Sequence, residues 1–119
     1  MYYLNRIKWG VIALALGLAL WCTYYFTVRT NTLIKQDQAS QLFELASTAI
    51  ADQNDEEAVK LLHQVIELDP GMAIAYYQRG VAYFRLGNDN QSFSDVATAS
   101  RLGFALADQW LEEHRTSSP

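Results

Sequence analysis

The sequence predicts an all-α chain: an N-terminal transmembrane helix followed by a short solenoid of helix hairpins, with two repeats and a capping helix. Three observations predict this. Residues 9–28 form a run of 20 without a formal charge. Beyond residue 38 the sequence matches itself at one constant shift. The same region is rich in Ala, Leu and Gln and poor in Gly and Pro, which favours helix throughout.

Charge is divided along the chain. Residues 1–29 carry Arg6, Lys8 and Arg29 and no acid, a charge of +3, while residues 30–119 carry −7, for a net −4. An acidic outer part with scattered single bases lacks the basic face that nucleic acid requires. Cys22 is the single cysteine, so no internal disulfide framework exists.

Residues 1–8 form an N-terminal tail. Residues 9–28, WGVIALALGLALWCTYYFTV, are the expected membrane span. A helix of about 20 residues covers roughly 30 Å, the thickness of a bilayer's hydrocarbon. Trp9 at one end and Trp21, Tyr24 and Tyr25 toward the other fit an aromatic belt. The competing readings are a buried globular helix, which would need an amphipathic face, and a cleaved signal peptide. Gly17-Leu18-Ala19 is a passable cleavage site, but the apolar run continues past it through Trp21, Tyr24, Tyr25 and Phe26. Trp21 before Cys22 also argues against a lipoprotein site. An uncleaved signal anchor is therefore expected. The flanking bases weakly favour a cytoplasmic N-terminus, with the bulk of the chain periplasmic in a bacterial inner membrane; the reverse orientation stays open. Gly10, Ala13 and Gly17 offer small residues on a similar face, where another transmembrane helix could pack. Residues 29–38 are a polar neck that can continue as helix.

The repeat occupies residues 39–72 and 73–106. At a shift of 34, Leu42 meets Tyr76, Leu45 meets Arg79, Ala46 meets Gly80 and Ala49 meets Tyr83. Ala58 then meets Ser92, Leu62 meets Val96, Val65 meets Ala99 and Leu68 meets Leu102. One step further, Tyr76 meets Trp110, so residues 105–115 begin a third unit that serves as a capping helix; 116–119 are a tail. Helices are expected at about 38–51, 55–68, 72–86, 91–102 and 105–115. Pro70-Gly71 turns the chain. Gly87 is expected to end the third helix in the left-handed conformation, Gly103 ends the fourth, and Asn90 is its expected cap. Ala46, Ala58 and Gly80 allow close approach. Leu62, Val65, Tyr76, Tyr83, Phe93 and Val96 fill the space between helices. Leu106 and Trp110 are expected to cover the second unit, leaving Asp108, Glu112, Glu113 and Arg115 to water.

These residues resemble the tetratricopeptide repeat (TPR) family, whose pattern is W-x2-L-G-x2-Y, A-x3-F, P, with a period of about 34 residues. The second unit supplies Tyr76, Arg79, Gly80 and Tyr83, then departs with Ser92, Val96 and Phe104. The first supplies Leu42, Leu45, Ala46 and Ala49, then Ala58, Leu62 and Pro70. The whole resembles small membrane-anchored bacterial TPR proteins that attend the translocon, cytochrome biogenesis or pilus assembly. Two and a half units make a small core, worth about 3–5 kcal/mol, so a partner, a second copy or a larger membrane complex is expected to add stability.

The resemblance implies a concave groove lined by the first helix of each unit. Its residues would be Phe43, Ser47 and Ile50 from the first unit, and Ile74, Tyr77, Val81, Phe84 and Arg85 from the second. The alternative, equally weighted residue by residue, is that Phe43 and Phe84 pack against neighbouring helices; Tyr77 is the favoured contact, because Tyr76 beside it faces the core. The family's clamp for C-terminal carboxylates uses Lys and Asn; Phe43, Ser47 and Gln78 stand at the matching positions, so that clamp is not expected. The implied ligand is a hydrophobic or amphipathic segment of another protein.

No catalytic, cofactor or metal chemistry is expected. His63 and His114 lie far apart in the sequence without cysteine companions. Asp55-Glu56-Glu57 begins a helix, where acids favour the dipole. Asn90-Gln91-Ser92 matches the short glycosylation pattern, a frequent coincidence. The function expected is a membrane-anchored adaptor for protein–protein interaction in assembly, biogenesis or translocation. The alternative is an accessory subunit held through its transmembrane helix.

Overall fold

A computed structural model of the chain describes residues 1–115, in five α-helices and, among the described residues, no strand. The helices are α1 (Tyr2–Ala51), α2 (Asp55–Leu68), α3 (Ala73–Arg85), α4 (Asp89–Arg101) and α5 (Ala105–His114). The chain divides into two compact units, Met1–Ile34 and Lys35–Pro119. The tail at 116–119 lies outside the described residues.

The first unit is the early part of α1. Its large apolar side chains, from Leu4 to Val28, are all exposed. Threonines interrupt this apolar surface without leaving hydroxyls unpaired. Thr23 donates to the Leu20 carbonyl at 2.9 Å, and Thr27 to the Thr23 carbonyl at 3.0 Å and the Tyr24 carbonyl at 2.9 Å. Such back-bonding satisfies these polar groups inside the helix itself. The polar neck does not break the helix. With no Pro or Gly from 18 to 69, nothing in it stops helical propagation, and α1 runs on to Ala51.

The second unit contains two hairpins, α1/α2 and α3/α4, and α5. The hairpin turns share one solution. Gln53 and Gly87, one repeat apart, both have positive φ (59° and 78°). Behind Gln53, Asn54 N–H donates to Ala49 O at 2.9 Å and Gln53 N–H to Ile50 O at 3.1 Å. Behind Gly87, Asn88 N–H donates to Tyr83 O at 2.9 Å and Gly87 N–H to Phe84 O at 3.0 Å. These paired bonds close the free carbonyls of a helix end. Gly103, at φ 89°, ends α4 in the same way. The connection at Pro70 differs: Asp69 Oδ1 accepts the Gly71 N–H at 3.1 Å, holding a side-chain-assisted turn.

Two apolar groups fill the unit. Ala39, Ala46, Leu62, Val65 and Ala75 join α1, α2 and α3. Val96, Ala99, Ala107 and Trp110 join α4 and α5, with Tyr76, Tyr77 and Val81 of α3 packed against them. Helix α3 therefore lies between both groups. Gly80 is its closest approach to α4: a Cβ there would meet Val96 Cγ2 at 2.7 Å and Ser92 O at 3.1 Å.

Two expectations are corrected. Asn90 does not cap the fourth helix. The helix begins at Asp89 after Asn88, and Asn90 stands within its first turn. The backbone of Asn88 closes α3 with its N–H and accepts the Ser92 N–H at 3.0 Å with its carbonyl, so one residue serves both helices without a side-chain cap. Leu106 does not cover the second unit; it is exposed. The buried stripe of α5 is Ala107 and Trp110, with Leu111 and His114 half-buried beside it, one residue out of step with Leu106.

Candidate functional site

The expected groove residues fall into two sets. Phe43 and Ile50 pack against the first apolar group and Tyr77 and Val81 against the second. The Tyr77 ring lies 5.1 Å from that of Phe104. Phe84 meets Trp110 edge-on at 5.3 Å and His114 at 4.9 Å, yet remains 36% exposed. Ile74, also 36% exposed, is the other large apolar side chain of α3 open to solvent. Ser47 is half-buried.

On α3, the spacing of Ile74, Gln78, Val81 and Arg85 puts them on one face. The same register on α1, one repeat earlier, holds Ser40, Glu44, Ser47 and Ala51. On α5 it holds Asp108, Glu112 and Arg115. The strip is therefore apolar at its centre and acidic on both flanks. Arg85, the base expected in it, is not free. Its Nη2 lies 2.6 Å from Oδ1 of Asp55, a buried residue in the first turn of α2. Gln78 Oε1 is buried without a hydrogen-bond partner among the described residues.

A different cleft, of about 500 Å³, opens among α2, α3 and α4, with His63, Arg79, Tyr83, Ser94 and Asp95 in its wall. Arg79 forks onto Asp95: Nε donates to Oδ2 at 2.7 Å and Nη2 to Oδ1 at 2.8 Å. Its guanidinium lies 5.8 Å from the Tyr76 ring centroid and 6.0 Å from that of Tyr83. The hydrogen bond to Asp95 raises the Arg79 pKa above its ordinary value; burial opposes this, and the Asp95 charge adds to it. His63 Nδ1 sits 3.2 Å from Arg79 Nη1. Sequence reasoning counted Arg79 only among the repeat positions, opposite Leu45. The signal was Asp95, further along the chain, where the facing helix turns toward it. No group of three His, Cys, Asp or Glu among the described residues is placed to hold a metal.

In the first unit, a Cβ added at Gly10 or Gly17 would meet nothing within 4 Å, so both glycines border open space. The helix carrying them and Ala13 is long and apolar enough to cross a membrane.

The comparisons with known proteins bear on the second unit. Residues 50–87 match the family model described as TPR repeat. That stretch runs from the end of α1 through α2 to the positive-φ glycine after α3. Hsc70-interacting protein 1 of Drosophila melanogaster is 37% identical over 71 residues, 60% of this chain and 19% of the relative. Hsc70-interacting protein 2 of the same organism matches to the same extent. The chain thus spans about a fifth of the length of these curated relatives. Repeats of this kind serve as protein-interaction modules rather than catalysts.

Proposed function

We propose that the chain is a membrane-anchored adaptor. Residues 9–28 cross the membrane, and the second unit holds a segment of another protein on the face of α3 that carries Ile74 and Val81. The observation that carries this reading is Ile74, an isoleucine left open to solvent between two packed apolar groups. On the inner face of a repeat scaffold such a residue offers a seat for a partner's apolar side chain. The reading includes a cytoplasmic N-terminus and a periplasmic second unit in a bacterial inner membrane, with a role in assembly, biogenesis or translocation. The names of the fly relatives tie those proteins to Hsc70; for this chain the proposal is a protein partner without that identity.

The test is a photo-crosslinker at position 74 in intact membranes. A discrete adduct with one foreign protein, lost when Val81→Ser is added, is the expected result. Adducts only between copies of the chain, or none, overturn it. A second reading has its own observation: Gly10 and Gly17 border open space on an apolar helix. If the anchor makes the main contact, Gly17→Leu breaks the complex and Ile74→Ser leaves it intact.

A further inference from the structure

We infer that the partner seated on the α3 strip is a cationic amphipathic helix, with one narrow apolar stripe flanked by lysines or arginines. The inference rests on the groove reading above and specifies its occupant. Two observations carry it.

The first is the shape of the apolar area. Ile74 and Val81 stand two turns apart on α3, with Gln78 between them. They offer about 10 Å of apolar length, enough for two or three side chains of one helix face and too little for a broad hydrophobic surface. The neighbouring rings are already engaged with Phe104, Trp110 and His114.

The second is charge. Residues 30–119 carry −7. Lys60, Arg79, Arg85 and Arg115 each face a carboxylate, at Glu57, Asp95, Asp55 and Glu112. Nine of the 13 carboxylates have no Lys or Arg partner among the described residues. Along the strip, Glu44 lies on one side and Asp108 on the other, Glu112 being paired with Arg115. The locking of Arg85 by buried Asp55 removes the one cation the centre would have offered to an acidic ligand.

Exposed ion pairs are individually weak and screened by salt, and they act mainly on specificity and on-rate. The test therefore compares two probes of identical apolar face. Two helical peptides of equal length carry Leu along one face and either Lys or Glu at the remaining positions. Each is titrated against the full chain in phosphatidylcholine nanodiscs, with empty nanodiscs subtracted. At low salt the Lys peptide should bind about tenfold tighter than the Glu peptide, and high salt should narrow the gap. Glu44→Lys with Asp108→Lys should abolish or reverse the preference, and Ile74→Ser should weaken the Lys peptide. Equal binding of the two peptides overturns the charge inference, and Ile74→Ser weakening both would leave the groove reading standing. Binding insensitive to Ile74→Ser overturns both. Binding of neither peptide overturns the inference alone, because the crosslink at position 74 judges the groove separately.

Discussion

Leu45 and Arg79 hold the same place in successive repeats and meet opposite surroundings. Leu45 is 58% exposed, in the wall of an open cleft with Gln38, Gln41, Leu42 and Leu68. The Arg79 side chain is 13% exposed, locked to an Asp95 that is 11% exposed. The apolar residue faces water and the charged one is half-buried against its partner. Position in the stack explains the inversion. Helix α3 has α2 on one side and α4 on the other, so its residue 79 is enclosed, whereas α1 has no preceding hairpin against residue 45. A repeat fixes which direction a side chain points. Its neighbours in the stack decide whether that direction is inside. The enclosed arginine then imposes a condition the leucine does not: a buried charge must keep its partner.

The largest expected effect breaks that partnership. Asp95→Ala leaves the half-buried Arg79 with only His63 and the Tyr76 and Tyr83 rings nearby and should cost about 2–3 kcal/mol. A core of this size supplies about 3–5 kcal/mol in all, so the second hairpin should lose its cooperative melt in circular dichroism. Asp95→Ala with Arg79→Leu, which returns the pair to the character of the first repeat, should recover to within about 1 kcal/mol of the parent. Failure of the double variant to recover would mean that the ion pair positions the helices as well as balancing charge. The pair is also expected to be insensitive to alkaline conditions. A raised arginine pKa contributes stability that is complete below the ordinary arginine value and is lost only above it, beyond the range of normal solution work.

A second comparison concerns the residue next along, Ala46 against Gly80. Ala46 is fully buried with its methyl accommodated. At Gly80 the same methyl would stand 2.7 Å from Val96 Cγ2, 3.1 Å from Ser92 O and 3.3 Å from Asp95 Cβ. The second hairpin is the closer-packed at this point. Gly80→Ala should cost about 1–3 kcal/mol through overpacking, and Gly80→Ala with Val96→Ala should relieve only the nearest contact, since Ser92 O belongs to the backbone. Ala46→Gly should cost about 1 kcal/mol or less, the ordinary entropy of glycine in a helix. Denaturant midpoints of the three variants check the ranking, and an unchanged Gly80→Ala midpoint would show that α4 moves away freely.

Much of this architecture was legible in the sequence because it depends on spacing. The repeat shift placed Ala46, Ala58, Leu62, Val65, Gly80 and Val96 in the interior, where all six are buried, and Tyr76, Tyr83 and Phe93, which are half-buried. Gly87 and Gly103 were readable as helix ends because positive φ selects glycine. What was not legible depends on a neighbour or on a single residue of register. Leu106 was placed inside by its hydrophobicity, but the α5 stripe is set by Ala107 and Trp110. Asn90 was placed at a cap by its type, but the backbone of Asn88 had already joined the two helices. Of the groove, the sequence located the helix faces. It did not show that Arg85 would be drawn to Asp55, far back at the start of α2, because such a pairing arises only once α2 and α3 are docked.

Gln53 is the other position where the repeats differ by one residue in the same geometry. It ends α1 at φ 59°, with the two backbone bonds that Gly87 uses at φ 78°. A side chain at positive φ costs on the order of 1 kcal/mol, which glycine avoids, although glycine loses more chain entropy on folding. Gln53→Gly should therefore stabilise the first hairpin by about 0.5 kcal/mol, the smallest effect of the series, and raise its melting temperature by about 2–4 °C. Gly87→Gln should lower stability by a similar amount. Were Gln53→Gly to destabilise instead, the glutamine side chain would be holding the turn by its own contacts, and the two turns would share a shape without sharing a cause.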